Sequence, residues 1–223
     1  MIIGNESPLS LAVAAEAAKR VQVLGTAFYP NRVEGSKRDQ SRAAPPAAGS
    51  ALIPLDWNPS SPISARALLA GAANRLERID EAILVCSPFP LRKEAEELDL
   101  EETESLLDDH IKGWFFLVRE IAKHFRSQGS GTLALVLSES GQGSGKDEAV
   151  DLLGPCIAAS FRALAQGLLA ASFNKPYRTL GFSCSEAGEN EAFAFFVLKT
   201  MEEANKRNDG KWHKYGKLGL FGR

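Results

Sequence analysis

The sequence predicts a three-layer α/β domain, a doubly wound parallel sheet of about seven strands with helices on both faces. Three observations predict it. Short apolar runs of strand length alternate with longer segments of helical periodicity. The connections are short except for residues 29–50. The stretch from residue 132 to residue 172 reads as half of a strand–helix–strand crossover. It holds an apolar run at 132–137, a glycine-rich turn at 138–146 and an Ala/Leu-rich segment at 148–172. Ligands in such sheets sit beyond the carboxyl ends of the strands, so the turn after Leu137 is a place to expect a site.

Met1, Ile2 and Ile3 form a first short strand, and residues 4–8 a turn. Residues 9–20 carry Ala, Leu and Val at helical spacing, with Ser7 as N-cap ahead of Pro8 at the first helical position. A strand running straight into a helix N-terminus is a phosphate-binding geometry. Residues 21–28 are a second strand and 51–55 a third, ending in Asp56 and Trp57. Residues 62–78 are a helix whose inner face draws on Ile63, Ala67, Leu68, Ala70 and Leu76. Glu81–Cys86 is the fourth strand, stopped by Ser87 and Pro88. Residues 94–109 hold nine acidic side chains, a solvated loop or helix start. Residues 111–126 form a helix rich in large apolar residues, among them Trp114, Phe115 and Phe125. Arg178–Cys184 is the sixth strand, 190–207 a helix and 217–221 the last strand.

A chain of 223 residues with 44% hydrophobic and 24% charged residues suits one domain. A net charge of −2 supplies no field to recruit nucleic acid or an anionic membrane. No apolar stretch approaches the roughly 20 residues that span a bilayer, and no basic-then-apolar leader opens the sequence. Cys86, Cys156 and Cys184 lie in apolar runs without metal-ligand spacing, which suits buried reduced thiols in a cytoplasmic protein.

The order and spacing of elements resemble the short-chain dehydrogenase/reductase family, whose Rossmann-like domain binds NAD(H) or NADP(H). Gly4 matches the first glycine of the family's phosphate loop, and Leu55-Asp56-Trp57 its third strand with the Asp beside the adenine. Residues 75–85 are similar to its run into strand four. His110-Ile111-Lys112-Gly113 looks like its Asn-x-x-Gly, and Ser138 like its strand-five serine. The resemblance implies cofactor contacts from Gly4, Asn5, Ser7, Leu9, Arg32, Asp56, Trp57, Cys86, Ser87 and Pro88. Arg32, with Lys37, Arg38 and Arg42, follows strand two, where the family reads the ribose 2′ substituent. Basic residues there favour NADP over NAD; a solvated basic loop is the simpler account.

The departures fall on the chemistry. Gly-x-x-x-Gly-x-Gly becomes Gly4-Asn5-Glu6-Ser7-Pro8-Leu9-Ser10, so two glycines are replaced, Pro8 removes a donor and Glu6 adds a charge that repels phosphate. The catalytic Asn falls on His110, and the Tyr-x-x-x-Lys pair on Ile157 and Phe161. Neither Ile nor Phe has an exchangeable proton, so the family's acid/base step has no donor at those positions. Ser138 and His110 are the catalytic candidates. Ser138 would orient a carbonyl or cap a turn, and His110 would replace the acid or make a helix hydrogen bond. Tyr177 is another acid, and Cys86 a nucleophile if a base lies near. Residues 140–147 approach a phosphate-binding loop, but Ser140 stands for its first Gly and Asp147 for its hydroxyl. Helices 111–126 and 148–172 are too apolar for one-sided burial, and the equivalent helices pair between subunits in relatives, so a homodimer or homotetramer is expected. The functional expectation is an oxidoreductase-like protein with an NAD(P)(H)-type cleft and weak or absent standard hydride transfer. The alternative is a non-catalytic homo-oligomer or small-ligand sensor on the same fold.

Overall fold

The central strands are apolar on both faces, and that fixes the layering. In a computed structural model, which describes residues 1–29, 51–88, 93–139, 151–203 and 209–216, seven parallel strands form one sheet: β1 (Ile2–Asn5), β2 (Val23–Tyr29), β3 (Ala51–Pro54), β4 (Glu81–Cys86), β5 (Thr132–Ser138), β6 (Arg178–Cys184) and β7 (Trp212–Tyr215). Their order is β3-β2-β1-β4-β5-β6-β7, with the switch of direction at β1 and β4. Alternate residues of each strand feed opposite cores. Ile3, Leu84, Leu133, Leu135 and Leu137 join one; Ile2, Ile83, Val85, Ala134 and Val136 join the other.

The helices divide between those cores. α1 (Pro8–Ala18) and α6 (Asn190–Glu203) cover one face with Val13, Ala14, Phe193 and Val197. The other face is covered by α2 (Pro62–Leu76), α4 (Gly113–Gln128) and α5 (Leu153–Ala170), through Leu68, Trp114, Leu117, Ile121 and Phe161. Local chemistry sets the ends. Ser7 and Ser61 cap α1 and α2 ahead of prolines at the first helical positions. Gly129, at φ +76°, closes α4 in the left-handed conformation that glycine adopts freely. The acidic segment becomes a 3-10 turn at Ala95–Glu97 and α3 (Leu100–Leu107), capped by Asp99. A π-helical turn, Asp108–Lys112, then leads into α4. Sequence periodicity does not show such a turn, because it inserts one residue into the helical repeat.

The structure corrects the expectations for Cys156 and for Ile63 on α2. The seventh strand is Trp212–Tyr215, where Trp212 pairs with Gly181; residues 217–221 lie outside the described residues. Cys86 and Cys184 are buried, but Cys156 is exposed on the outer side of α5. By length and composition α5 is apolar enough to cross a membrane. It lies along the sheet instead and buries Gly154, Ile157, Phe161, Ala165 and Leu169, one side of the helix. Ile63, expected on the inner face of α2, is 79% exposed.

Gly4 is the tightest point at the switch between β1 and β4. A Cβ there would lie 2.6 Å from the Val85 carbonyl oxygen and 3.0 Å from Ser10 Oγ. Both neighbours belong to the sheet and the first turn of α1, which cannot retreat cheaply. Gly4→Ala is expected to lower unfolding free energy by about 1–3 kcal/mol, measured by urea denaturation.

Candidate functional site

The carboxyl edge at the β1/β4 switch point gathers most of the expected cofactor positions. Gly4 and Asn5 end β1, Ser7 caps α1 and Leu9 lies in its first turn, and Cys86 ends β4 with Ser87 and Pro88 following. The Asn5 side chain ties the two strand ends together: its Nδ2 donates to the Ser87 carbonyl (2.7 Å) and its Oδ1 accepts from the Ser87 N–H (3.3 Å). This buried amide holds the edge in one shape.

The first turn of α1 uses its own donors. Pro8 has no N–H, the Ser10 N–H donates to Ser7 Oγ (3.1 Å) and the Leu11 N–H to the Ser7 carbonyl (3.1 Å). Of the first-turn amides, that leaves the Leu9 N–H uncommitted by these bonds. Gly4 serves close strand and helix packing. The anion-binding strength expected of this helix end is therefore reduced to one amide and the helix dipole.

A second group lies toward β2 and β3. Tyr29, the last residue of β2, is 3% exposed, and its hydroxyl shares a hydrogen bond with Nδ1 of His110 (3.0 Å), which sits in the π-helical turn. Ser60 Oγ donates to Oδ1 of buried Asp109 (2.6 Å). Pro59 presses on Gly113, where a Cβ would meet the Pro59 Cβ at 2.7 Å. The segment after β3 is thus pinned onto the π-helical turn. Trp57 stands edge-on to Tyr29 (5.2 Å between ring centroids) and tilts against Trp114 (5.5 Å), which stands edge-on to Phe161 (5.2 Å). This aromatic row runs from the end of β2 to α5.

Burial favours the uncharged forms of His110 and Tyr29. Burial pushes His110 down to about 4, against a smaller upward pull from Asp109. Burial raises the Tyr29 phenol well above its ordinary range, with Cys86 and Asp109 adding to the rise. Around pH 7 the imidazole is uncharged. Burial also drives the Cys86 thiol far above its usual range, so it is no thiolate nucleophile.

The other expected positions separate. Ser138 ends β5 beside Cys184 of β6 and is buried. Asp56 is exposed next to buried Trp57. Ile157 and Phe161, which the resemblance sets against the family's Tyr and Lys, are 4% and 1% exposed and packed in the core. Tyr177 precedes β6 at the amino-terminal edge of the sheet, against Phe125, on the opposite side from the cleft; it supplies no proton there. Arg32, Lys37, Arg38, Arg42 and the 140–147 loop lie outside the described residues. Sequence reasoning missed Tyr29, Ser60 and Asp109. Tyr29 was readable as the carboxyl end of a strand, whereas Ser60 and Asp109 meet only through the pinning of the segment after β3.

No family model and no curated protein matches this sequence significantly. Solved structures do match the fold. A short-chain type dehydrogenase/reductase from Mycobacterium marinum has a TM-score of 0.72 at 17% identity, covering 96% of this chain and 92% of its own. An NADH-dependent reductase, A1-R', solved with NAD, has a TM-score of 0.69 at 15% identity, covering 96% and 93%. An NADPH-dependent 3-quinuclidinone reductase from Rhodotorula rubra has a TM-score of 0.70 at 14% identity, covering 96% and 88%. The chain has the Rossmann-like fold of the short-chain dehydrogenase/reductases over nearly its whole length.

The depressed His110 pKa links stability to pH. The unfolded imidazole takes a proton near pH 6.5 and the folded one only near 4, so stability present above about 6.5 is lost as pH falls toward 4. The loss amounts to about 3 kcal/mol. Two-dimensional NMR should find the His110 ring neutral at pH 5.5, and Tyr29→Phe should shift its titration.

Proposed function

We propose that this protein is a short-chain dehydrogenase/reductase-like protein that keeps an NAD(P)(H)-type cleft and has weak or no standard hydride-transfer activity. The single observation that carries this reading is the burial of Ile157 and Phe161, with Phe161 against Trp114. An acid/base pair must reach the reacting oxygen. These two side chains have no proton to give, and the packing leaves Phe161 no route into the cleft. The neutral Tyr29–His110 pair argues the same way: both members are held in their uncharged forms, which opposes proton transfer between them.

A bound dinucleotide would be held at its pyrophosphate by the Leu9 amide and the α1 N-terminus, with Gly4, Asn5 and Ser7 shaping the turn. Asp56 and Trp57 would flank the adenine, and Cys86, Ser87 and Pro88 would line the floor. Such a nicotinamide cofactor, NADP or NAD, supplies the hydride acceptor or donor. Ser138 would orient a small-molecule carbonyl. The fit is partial, since Gly4 is committed to packing and Pro8 removes a donor. That partial fit supports the second reading, a non-catalytic homo-oligomer or small-ligand sensor. Phe115 on α4 is 52% exposed, and most of the apolar helix α5 faces outward, which supports a homodimer or homotetramer through these two helices. The reading places the protein in the cytoplasm, without nucleic-acid or membrane partners.

Thermal-shift titration with NADP(H) and NAD(H) tests the cleft. A saturable rise in Tm is expected, equivalent to about 2.7 kcal/mol at a hundredfold excess over Kd, with little turnover of carbonyl substrates. Absence of a shift at millimolar nucleotide leaves the non-catalytic reading. For the assembly, Phe115→Glu is expected to lower the sedimentation coefficient at micromolar protein while the far-UV circular dichroism stays unchanged.

A further inference from the structure

Between α1 and the start of α6 runs an open groove of about 770 Å³. Pro8, Leu11, Ala12 and Ala15 of α1 and Ala192 of α6 supply its apolar lining. None of them is buried. Pro8 and Ala192 are exposed, Leu11 is 41% exposed and the two α1 alanines are half-buried, so a chain laid along the groove can touch all five. The rim is acidic. Glu189 and Glu191 stand exposed at the α6 end. Lys19, the cation of the groove, is already held by Glu16 (2.8 Å). Glu189 accepts a long hydrogen bond from the Tyr215 hydroxyl (3.4 Å). An apolar floor under an acidic rim suits an apolar segment that carries basic residues.

The chain leaves β7 at that rim. Tyr215, the last residue of the strand, packs on Phe193 and Phe196 of α6 (5.6 and 5.5 Å between ring centroids) as it reaches Glu189. Gly216 lies against the loop after β6, where a Cβ would sit 3.3 Å from Glu186 Oε1 and 3.7 Å from Ser185 Oγ. The sequence continues Lys217-Leu218-Gly219-Leu220-Phe221-Gly222-Arg223, three large apolar side chains between two cations, with no acid. Seven residues extend to about 25 Å, and the groove wall from Pro8 to Lys19 rises about 16 Å along α1, so the segment is long enough to fill it. We propose that residues 217–223 dock in the α1/α6 groove of their own chain, with Leu218, Leu220 and Phe221 on the apolar floor and Lys217 beside Glu189 and Glu191. The docked segment straps β7 and α6 to α1 next to Pro8, where the β1–α1 turn borders the cleft. The proposal does not depend on nucleotide binding, and its test is separate from the titration of the cleft.

The full chain carrying p-benzoylphenylalanine in place of Phe221 is irradiated at micromolar concentration without nucleotide, and the cross-linked peptides are mapped by mass spectrometry. Cross-links from position 221 to residues 8–19 of α1 are expected. Reversing the rim with Glu189→Lys and Glu191→Lys together, or charging the floor with Leu11→Glu, should lower their yield severalfold while far-UV circular dichroism stays unchanged, since all three positions are exposed. An equal mixture of nitrogen-14 and nitrogen-15 chains should give cross-links of uniform mass. Cross-links that join light to heavy chains place the segment on a second copy and overturn the proposal. So does the absence of cross-links to α1, or a yield that neither the rim reversal nor Leu11→Glu changes. Should a variant fail to fold, the map and the mixed-mass result on the otherwise native chain still decide.

Discussion

Burial of the three central strands on both faces is the constraint that the rest of the structure obeys. β1, β4 and β5 are apolar at nearly every position, so neither face can meet water, and helices must cover both. That requirement explains the two cores, the crossover order and the placement of α1 and α6 opposite α2, α4 and α5. It also explains why the polar work is confined to the sheet edges. A side chain in the middle of β4 or β5 has no route to solvent, whereas the strand ends do. Asn5, Tyr29, Ser87 and Ser138 all lie at or just beyond such ends.

At the carboxyl edge, packing has taken over positions that the fold can use for chemistry. Gly4 admits the Val85 backbone and Ser10, Ser7 satisfies the helix end, and Phe161 extends an aromatic row to α5. The buried polar groups that remain are hydrogen-bonded in pairs. The phenol of Tyr29 meets a neutral imidazole, and Ser60 meets Asp109. Burial holds the Tyr29 phenol and the His110 imidazole in their uncharged forms.

The amino-terminal edge has the opposite character. There the charged groups stand at a solvent boundary and their partners are unequal, with Arg20 shared between a sheltered Glu16 and an exposed Glu202.

The sequence by itself determined the fold class. Strand-length apolar runs, serine caps before Pro8 and Pro62, and Gly129 at a helix end are local signals, and the chain obeys them. Ile157 and Phe161 were legible as apolar positions of one helix, and both are buried. Only the tertiary structure decided that His110 meets Tyr29, that Asp109 meets Ser60, and that a π-helical turn presents both. Tyr29 and His110 are 81 residues apart; their meeting depends on where the π-helical turn is set against the end of β2, which no local pattern encodes. The same holds for Trp212, whose strand becomes visible only where it pairs with Gly181. Side-chain periodicity records which face of an element is buried, while the partner it is buried against is set by the packing of the whole.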